Sequence, residues 1–481
     1  MSEQPVTSRG QSLALLVIVS GVLITAVDTT IVVLALPEMQ KALHVGLSSV
    51  IWVVIGYLLV ITLLSTQVGK IGDMFGRVRM YEMGFLIFVL GSLLCALSWN
   101  EASIISFRLL QGVGGALIAS NSGAVIADTF PPETRGRAYG FNSIGWNVGA
   151  VLGVVLGGVI VTYLSWRWIF WINVPIGLAA FTLALKVLKE GSERKAHRLD
   201  LPGMVLLGAG LFSILWGMTR LTSESLSGAI VALLSGGVVL LIVFVLVERA
   251  QSDPMLSLQI FKIPTLAPSM VAALLQSLAN FAVLFLLLMY LQGVRHLTPV
   301  NASLLLVPGY IIGGVVGPIG GRLADKIGPV IPATVGLGIQ ICALLIYAQL
   351  TPNSSLLIVV VAYIIGAIGS GSFFPANNSA VMKAAPAESF GIASGVLRTF
   401  ANTGMVFSFA LAIVIASQSI SKAQAFAIFV GSTTLTRSTA ISFTEGIHSA
   451  FYVSAAIMVV AAVLSALRGQ VRRVPSKSPS H

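Results

Sequence analysis

The sequence predicts an all-α polytopic membrane protein, made of two six-helix bundles and two additional transmembrane helices. The first observation is composition: of 481 residues, 56% are hydrophobic and only 9% are charged, whereas a soluble domain carries roughly 25% charged residues. The second is the many apolar runs that reach the ~20 residues needed to cross a bilayer. The third is a short charged loop that occurs twice, half a chain apart. Lipid must therefore cover most of the surface.

Fourteen apolar runs are predicted to be transmembrane helices, because open strand edges cannot be satisfied in lipid. Their predicted limits are 13–36, 48–68, 80–98, 102–127, 138–163, 168–188, 201–221, 227–247, 265–291, 302–323, 330–350, 355–382, 390–417 and 447–467. The stretch 418–445 mixes polar and apolar residues, and we predict an external loop with an amphipathic part.

The repeated loop predicts two related halves. It begins at Gly69 as GKIGDMFGRVR and at Gly321 as GRLADKIGP, with each Gly, Asp and Gly offset by 252 positions. That offset equals one six-span half plus a two-span insertion. We therefore predict an N-terminal six-helix bundle at 1–188, a linker with two inserted transmembrane helices at 189–264, and a C-terminal six-helix bundle with a cytoplasmic tail at 265–481. Many secondary transporters are built from such repeats, with the substrate site between them.

Lysine and arginine predict the orientation. Of 28 basic residues, 20 lie on the side that holds both termini, six lie on the other side and two lie within spans. Cytoplasmic loops carry the excess of basic residues. We therefore predict a multi-pass protein of the plasma membrane with both termini cytoplasmic, and a tail at 468–473 that contacts anionic lipid. The net charge of +11 is scattered over many loops, so it does not indicate nucleic-acid binding.

Two charged residues inside spans are the candidates for proton coupling. Asp28 lies in the middle of the first span, where a charge costs at least ~2.5–3.5 kcal/mol. Such a carboxyl either binds and releases a proton or is a static hydrogen-bond anchor with Thr29 or Thr30. Arg108 in the fourth span stays charged in proteins. It either tunes Asp28 or clamps backbone carbonyls of a neighbouring helix.

The repeated loop is the candidate for a cytoplasmic gate. Its residues Gly69, Asp73, Gly76 and Arg77, with Asp325 in the second copy, lie at helix ends. The alternative is that the loop serves topology alone. A repeated carboxylate favours the gate, because topology signalling requires no acidic residue.

The fifth span carries glycines at a spacing of four, namely Gly145, Gly149, Gly153 and Gly157. This spacing places them on one helix face, which permits very close helix approach. The ridge is predicted to be either the seam between the halves or a site of tight packing.

Polar and aromatic residues inside spans are candidates for a substrate cavity, because ligand sites combine apolar walls with a few polar groups. Each of them is alternatively a packing residue. The candidates are Trp52, Tyr57, Asn121, Trp146, Asn147, Gln276, Asn280, Tyr290, Gln340, Phe373, Phe374, Asn377 and Asn378.

Four motifs resemble the major facilitator superfamily, and specifically its fourteen-span drug:proton antiporter family. They are GKIGDMFGRVR, the first-span segment DTTIVVLALP at 28–37, the fourth-span segment RLLQGVGG at 108–115, and WRWIFWINVPIG at 166–177. The resemblance implies proton coupling through Asp28 with support from Arg108, and an inner gate that includes Asp73. The chain departs from the pattern at Val33, where Asn is usual, and at Val154, where Pro is usual.

The predicted function is secondary active transport: proton-coupled export of small lipophilic, often cationic, drugs or toxic compounds by alternating access, hence multidrug efflux and antibiotic resistance. The alternative is an exporter or facilitator of one metabolite, lipid or siderophore. No phosphate-binding GxxxxGK[ST] loop and no His cluster with metal-ligand spacing occurs. We therefore expect no cofactor and no metal, with the proton gradient as energy source, and a monomer. An enzyme would need a His, Asp and Glu cluster near one membrane face, and a receptor or scaffold would not need the repeated gate loop.

Overall fold

The computed structural model describes residues 8–190, 199–222, 224–251, 254–256, 258–385, 390–416 and 437–469. All regular structure in these ranges is helical. Thirteen helices are long and apolar enough to cross a membrane, and the count reaches fourteen if the bent third helix is one span. The predicted fold class is confirmed.

The first six spans are formed by eight helices. The third helix bends by 59° between its segments Trp52–Ser65 and Gln67–Phe75. The sixth span consists of two short helices in succession. The bounds are α1 Ser8–Leu43, α2 Leu47–Val50, α3 Trp52–Phe75, α4 Arg77–Ala96, α5 Glu101–Thr129, α6 Pro132–Tyr163, α7 Trp168–Trp171 and α8 Asn173–Val187.

The inserted pair and the last six spans follow. The ninth span ends in a π-helical turn, Met289–Val294. A 3-10 turn, Leu258–Lys262, precedes this span. The bounds are α9 Leu201–Leu221, α10 Gly228–Ala250, α11 Leu266–Asn280, α12 Ala282–Leu288, α13 Pro299–Ile327, α14 Val330–Tyr347, α15 Leu356–Ala384, α16 Phe390–Ala416 and α17 Arg437–Leu467.

The prediction of a loop over 418–445 is wrong for residues 437–445, which form the start of α17; residues 418–436 lie outside the described residues. Polar residues such as Glu445 lower the local hydropathy and conceal the helix. Phe443, Ile447 and Phe451 nevertheless recur every four residues and are all buried, which is the apolar stripe of a packed helix.

The prediction of a loop for the repeated segment is wrong for most of its length, because residues 69–75 continue α3 and residues 321–327 continue α13. Only Gly76 in the first copy, and Gly328 and Pro329 in the second, lie between helices. At this break the two copies have the same backbone geometry. Gly76 ends α3 with φ of 107°, and Gly328 ends α13 with φ of 87°. Only glycine adopts such positive φ values readily, so both spans stop at the same point of the repeat. We call the end of the helices that carries these loops the gate end, and the opposite end the far end.

The helix contacts define how the halves meet. In the first half α1 packs on α6, and α5 packs on α3 and α4; in the second half α15 packs on α13 and α14, and α11 packs on α16 and α17. The halves meet along α6 with α13 and along α3 with α16. The inserted helices α9 and α10 pack on each other, and α9 also lies against α3 and α16. The inserted pair thus covers one side of the α3–α16 seam.

Candidate functional site

The Asp28 carboxylate lies in a buried polar cluster inside the first half. Arg108 Nη1 donates to Oδ2 at 2.6 Å, while Gln111 Nε2 and Asn173 Nδ2 donate to Oδ1 at 2.9 and 3.1 Å. Asp28 is 0% exposed and Arg108 is 1% exposed. The carboxylate therefore joins α1 to α5 and α8, and its charge is compensated within one half of the protein.

Arg108 makes the contacts that both of its alternative roles require. Its Nη1 contacts Asp28, and its Nε donates to the Val53 carbonyl of α3 at 2.8 Å. The guanidinium carbon lies 4.1 Å from the centre of the Tyr57 ring, a cation–π contact. The Tyr57 ring thus packs against this ion pair, so this predicted cavity residue belongs to the cluster around Asp28.

The alternative of an anchor between Asp28 and a neighbouring threonine is wrong for this structure. The Thr29 hydroxyl donates to the Thr25 carbonyl at 2.8 Å, and the Thr30 hydroxyl donates to the Ala26 carbonyl at 3.1 Å. Both hydroxyls turn back along α1, as threonine commonly does in helices.

Sequence reasoning missed Gln111, Asn173 and Ser92, whose hydroxyl accepts hydrogen bonds from both amides. Gln111 follows Arg108 by three positions and therefore shares its helix face. Asn173 lies inside the quoted segment 166–177. Gln111 and Asn173 could have been selected from the sequence, because each is a polar residue within an apolar span. In the resulting cluster, a proton on Asp28 would remove the charge that Arg108 faces.

The gate loop forms an ionic network within the first half. Arg77 Nε contacts Asp73 Oδ1 at 2.7 Å, and Arg77 Nη1 contacts Asp128 Oδ1 at 2.8 Å. These groups tie the start of α4 to the ends of α3 and α5. Asp128, which sequence reasoning did not select, is the second carboxylate of this network.

Glu190 caps the start of α4. Its Oε1 accepts from the Arg77 N–H at 3.0 Å, and its Oε2 accepts from the Arg79 N–H at 3.3 Å. An added Cβ on Gly76 would lie 2.4 Å from the Glu190 carboxylate, so a side chain there would displace the cap. Free N–H groups and the helix dipole favour a carboxylate at this place.

The remaining gate residues have different surroundings. Asp325 pairs with Lys383 at 2.9 Å within the second half, and its side chain is 71% exposed. An added Cβ on Gly69 would meet nothing within 4 Å. The two ion pairs of Arg77 and the pair of Asp325 with Lys383 thus each join helices of the same half.

The glycine ridge packs on α1 of the same half. Gly145, Gly149, Gly153 and Gly157 face Val19, Leu23, Val27 and Ile31 in turn. The interpretation as a seam between halves is therefore wrong for these four glycines, and the packing alternative describes them. Gly158, one position further, contacts Pro299 and Val300 of α13 and is the glycine at the seam.

Several predicted cavity residues lie elsewhere. Trp52 faces the inserted pair: its indole N–H donates to Thr219 at 3.2 Å, and its ring packs on Phe212 and Trp216. Tyr290 donates to the Thr351 carbonyl at 2.6 Å at the far end. Trp52 thus packs between the first half and the inserted pair, and Tyr290 is bonded within the second half.

Other predicted cavity residues form hydrogen bonds within their own half. Gln276 Nε2 donates to Gln340 Oε1 at 2.8 Å, and Asn121 donates to the Leu117 carbonyl at 2.9 Å. Asn280 is partly buried, Phe373 is buried, and Trp146, Asn147, Phe374 and Asn378 are exposed.

Asn377 belongs to a buried arginine site at the gate end. Arg468 Nη1 donates to Asn377 Oδ1 at 2.6 Å, and Nη2 donates to the Pro329 carbonyl at 3.0 Å. Burial lowers the pKa of Arg468 to about 10, which still leaves the side chain charged at neutral pH. The predicted lipid contact is therefore wrong for Arg468, because α17 carries this residue into the helix bundle; residues 470–473 lie outside the described residues.

The inserted pair carries two buried carboxyls, Asp200 and Glu248. Asp200 accepts from the N–H groups of Gly203 at 2.9 Å and Met255 at 3.2 Å. Burial alone would raise the pKa of Asp200, but hydrogen bonds from Glu248 and these two N–H groups hold it below its ordinary value. Asp200 is the N-cap of α9. Its hydrogen bond from Met255 joins the start of α9 to the segment that follows α10.

Two packed halves of membrane-spanning helices, with an ion pair buried in one of them, define a multi-pass membrane transporter. The chain belongs to the Major Facilitator Superfamily, whose sequence profile matches residues 18–409. It is accordingly a transporter and not an enzyme.

The relatives differ in what they move. The chain is 29% identical to the riboflavin transporter RibZ of Clostridioides difficile, with coverage of 86% of this chain and 90% of that protein. It is 30% identical to the tetracenomycin C resistance and export protein of Streptomyces glaucescens, with coverage of 81% and 73%. A solved bacterial homologue of the human lysosomal transporter Spinster, inward-facing and unoccupied, has the same fold at a TM-score of 0.68 and 17% identity, with coverage of 96% of this chain and 97% of that one.

Proposed function

We propose that this protein is a proton-coupled exporter of lipophilic compounds that works by alternating access, within the fourteen-span drug:proton antiporter family. The surroundings of Asp28 are the main support for this function. Asp28 is a buried carboxyl near the middle of a membrane helix, and three side chains donate to it. Intramembrane carboxyls that face a bundle interior commonly serve in proton relays.

The coupling follows from the network around Asp28. When a proton binds, the carboxylate loses its charge and Arg108 loses its ionic partner. Arg108 keeps the Val53 carbonyl of α3 and the Gln111 side chain of its own helix. Protonation therefore weakens the link from α1 to α5 while the link from α5 to α3 remains. A proton can shift an equilibrium between two conformations only through such a difference between them.

The tetracenomycin relative supports export of toxic compounds, and the riboflavin relative keeps the alternative of a single metabolite open. A cationic compound would need an accessible carboxylate within the membrane. Asp28 is enclosed by its three donors, and we find no other carboxyl near the middle of a described span.

Transport into inverted membrane vesicles, energised by an imposed pH gradient, tests this proposal with a panel of dyes and antibiotics. We expect Asp28→Asn to insert into the membrane with a lowered thermal unfolding temperature, because Arg108 loses its ionic partner, and to lose gradient-driven uptake. Glu38→Gln, which changes an exposed carboxyl on the same helix, is the matched control and should transport like wild type. Wild-type uptake by Asp28→Asn under the gradient would exclude proton coupling through this residue. Uptake of one compound only would favour the single-metabolite alternative.

A further inference from the structure

Arg398 is a charged residue within α16 that the proton network does not use. It lies eight residues from Phe390, the start of α16 at the gate end, which corresponds to about 12 Å along the helix. Its side chain is exposed, and we observe no carboxylate within ion-pair distance of it among the described residues. A guanidinium at this depth stays charged and requires water, an acceptor or a ligand.

Arg398 points to the inner side of the seam between the halves. Its Nη1 donates to the Ala119 carbonyl of α5 in the other half at 2.6 Å. The α9 helix covers the outer side of the α3–α16 seam, since it packs on both of these helices, whereas α5 lies behind α3 within the first half. Arg398 therefore lies at the interface between the halves, on the side of the seam away from α9.

Neutral polar residues follow Arg398 on α16 and Ala119 on α5. Asn402, one turn along α16, donates to Ser65 Oγ at 3.4 Å, and the Ser120 hydroxyl donates to the Ser65 carbonyl at 3.2 Å. Ala119 lies eleven positions beyond Arg108 on α5, which is about 17 Å along the helix. The group is therefore separate from the Asp28 cluster, and its net charge is positive.

We propose that Arg398 is the binding subsite for an acidic group of the transported compound, so that the substrates are acidic amphiphiles: an aromatic or apolar body that carries a carboxylate or a comparable anion. Arginine suits this task because its fork of N–H groups matches a carboxylate. The Ala119 carbonyl uses one of the five N–H groups in the structure. This inference rests on the proposed transport function and defines the charge class of its substrates.

Binding of two dyes to the purified full-length protein tests the subsite. Fluorescein is an anion at pH 7.4 and rhodamine 123 is a cation, and both have the same xanthene core. Fluorescence anisotropy in a neutral detergent measures each affinity. We expect wild type to bind fluorescein more tightly, and Arg398→Gln to weaken fluorescein binding about tenfold with little effect on rhodamine 123. Arg398→Lys should retain part of the affinity.

The control is Arg220→Gln, which removes one positive charge from an arginine paired with Glu224 on the inserted pair and should not change binding of either dye. Equal weakening of both dyes by Arg398→Gln would show that Arg398 only latches the halves through Ala119, and absent or weaker fluorescein binding by wild type would also overturn the subsite. Gradient-driven transport of rhodamine 123 without fluorescein binding would leave the proposed function intact. Fluorescein binding that depends on Arg398, without any gradient-driven transport, would refute the proton coupling alone.

Discussion

Arg108 and Asp28 form an ion pair at 2.6 Å, and both side chains are buried. Breaking such a pair on one side leaves a buried charge without compensation, which commonly costs about 3–5 kcal/mol. Arg108→Gln should therefore lower the thermal unfolding temperature of the purified protein strongly. The double variant Asp28→Asn with Arg108→Gln should recover most of the loss, because neither charge remains. A double variant as unstable as Arg108→Gln alone would contradict this account.

The gate network predicts a kinetic effect for Asp73. Its removal leaves Arg77 with Asp128 as ionic partner, so the link between α3 and α4 weakens while no substrate contact changes. We expect Asp73→Asn to slow transport, to leave dye affinity unchanged and to increase thiol labelling of a cysteine introduced at Asn402, which contacts Ser65 across the seam between the halves. Glu101→Gln, at the far end of α5, is the control. Loss of affinity with unchanged labelling would assign Asp73 to the fold or the site instead.

Close packing of α1 on α6 predicts opposite outcomes for two glycines of one helix. An added Cβ on Gly149 would lie 2.6 Å from the Leu23 carbonyl, whereas one on Gly140 would meet nothing within 4 Å. Gly149→Ala should destabilise the protein by about 1–3 kcal/mol, since the helices must separate. Gly140→Ala should be neutral or slightly stabilising, because alanine lowers the entropy cost of a helix. Thermal unfolding of both variants gives the comparison.

The lowered pKa of Asp200 predicts acid sensitivity of the inserted pair. A carboxyl whose pKa is lower in the folded state contributes stability above its ordinary pKa, and this contribution is lost as the pH falls through the folded value. Asp200→Asn should therefore be less stable than wild type at pH 7. The difference should vanish well below pH 3.8, the ordinary value. A difference that does not change with pH would show that Asp200 acts only as a neutral cap.

The bias of basic residues predicts that both termini are cytoplasmic, with 20 basic residues on their side and six on the other. An epitope tag at either terminus should react with antibody only after the cells are permeabilised. Labelling of a C-terminal tag on intact cells would mean that the number of spans is odd.

The sequence by itself determined the fold class, the repeat and the first residue of the ion pair. Bilayer thickness sets the length of an apolar run, so composition and run length were sufficient for the helices. The repeat placed Gly76 and Gly328 at equivalent positions, but their positive φ, which ends both spans beyond the predicted limits of 68 and 323, was seen only in the structure. Asp28 was detectable because a carboxyl is costly in lipid wherever its helix packs.

Only the tertiary structure decided which side chains meet. It placed Gln111 and Asn173 on Asp28, turned Trp52 toward the inserted pair, and packed the glycine ridge on α1 and not on α13. In a soluble helix the apolar face reveals the rotation about the axis. Lipid is as apolar as a helix interface, so a membrane helix is hydrophobic on every side and its sequence does not specify which face turns inward. Packing against neighbouring helices fixes that rotation, and with it the contact of Arg398 with the Ala119 carbonyl of the other half.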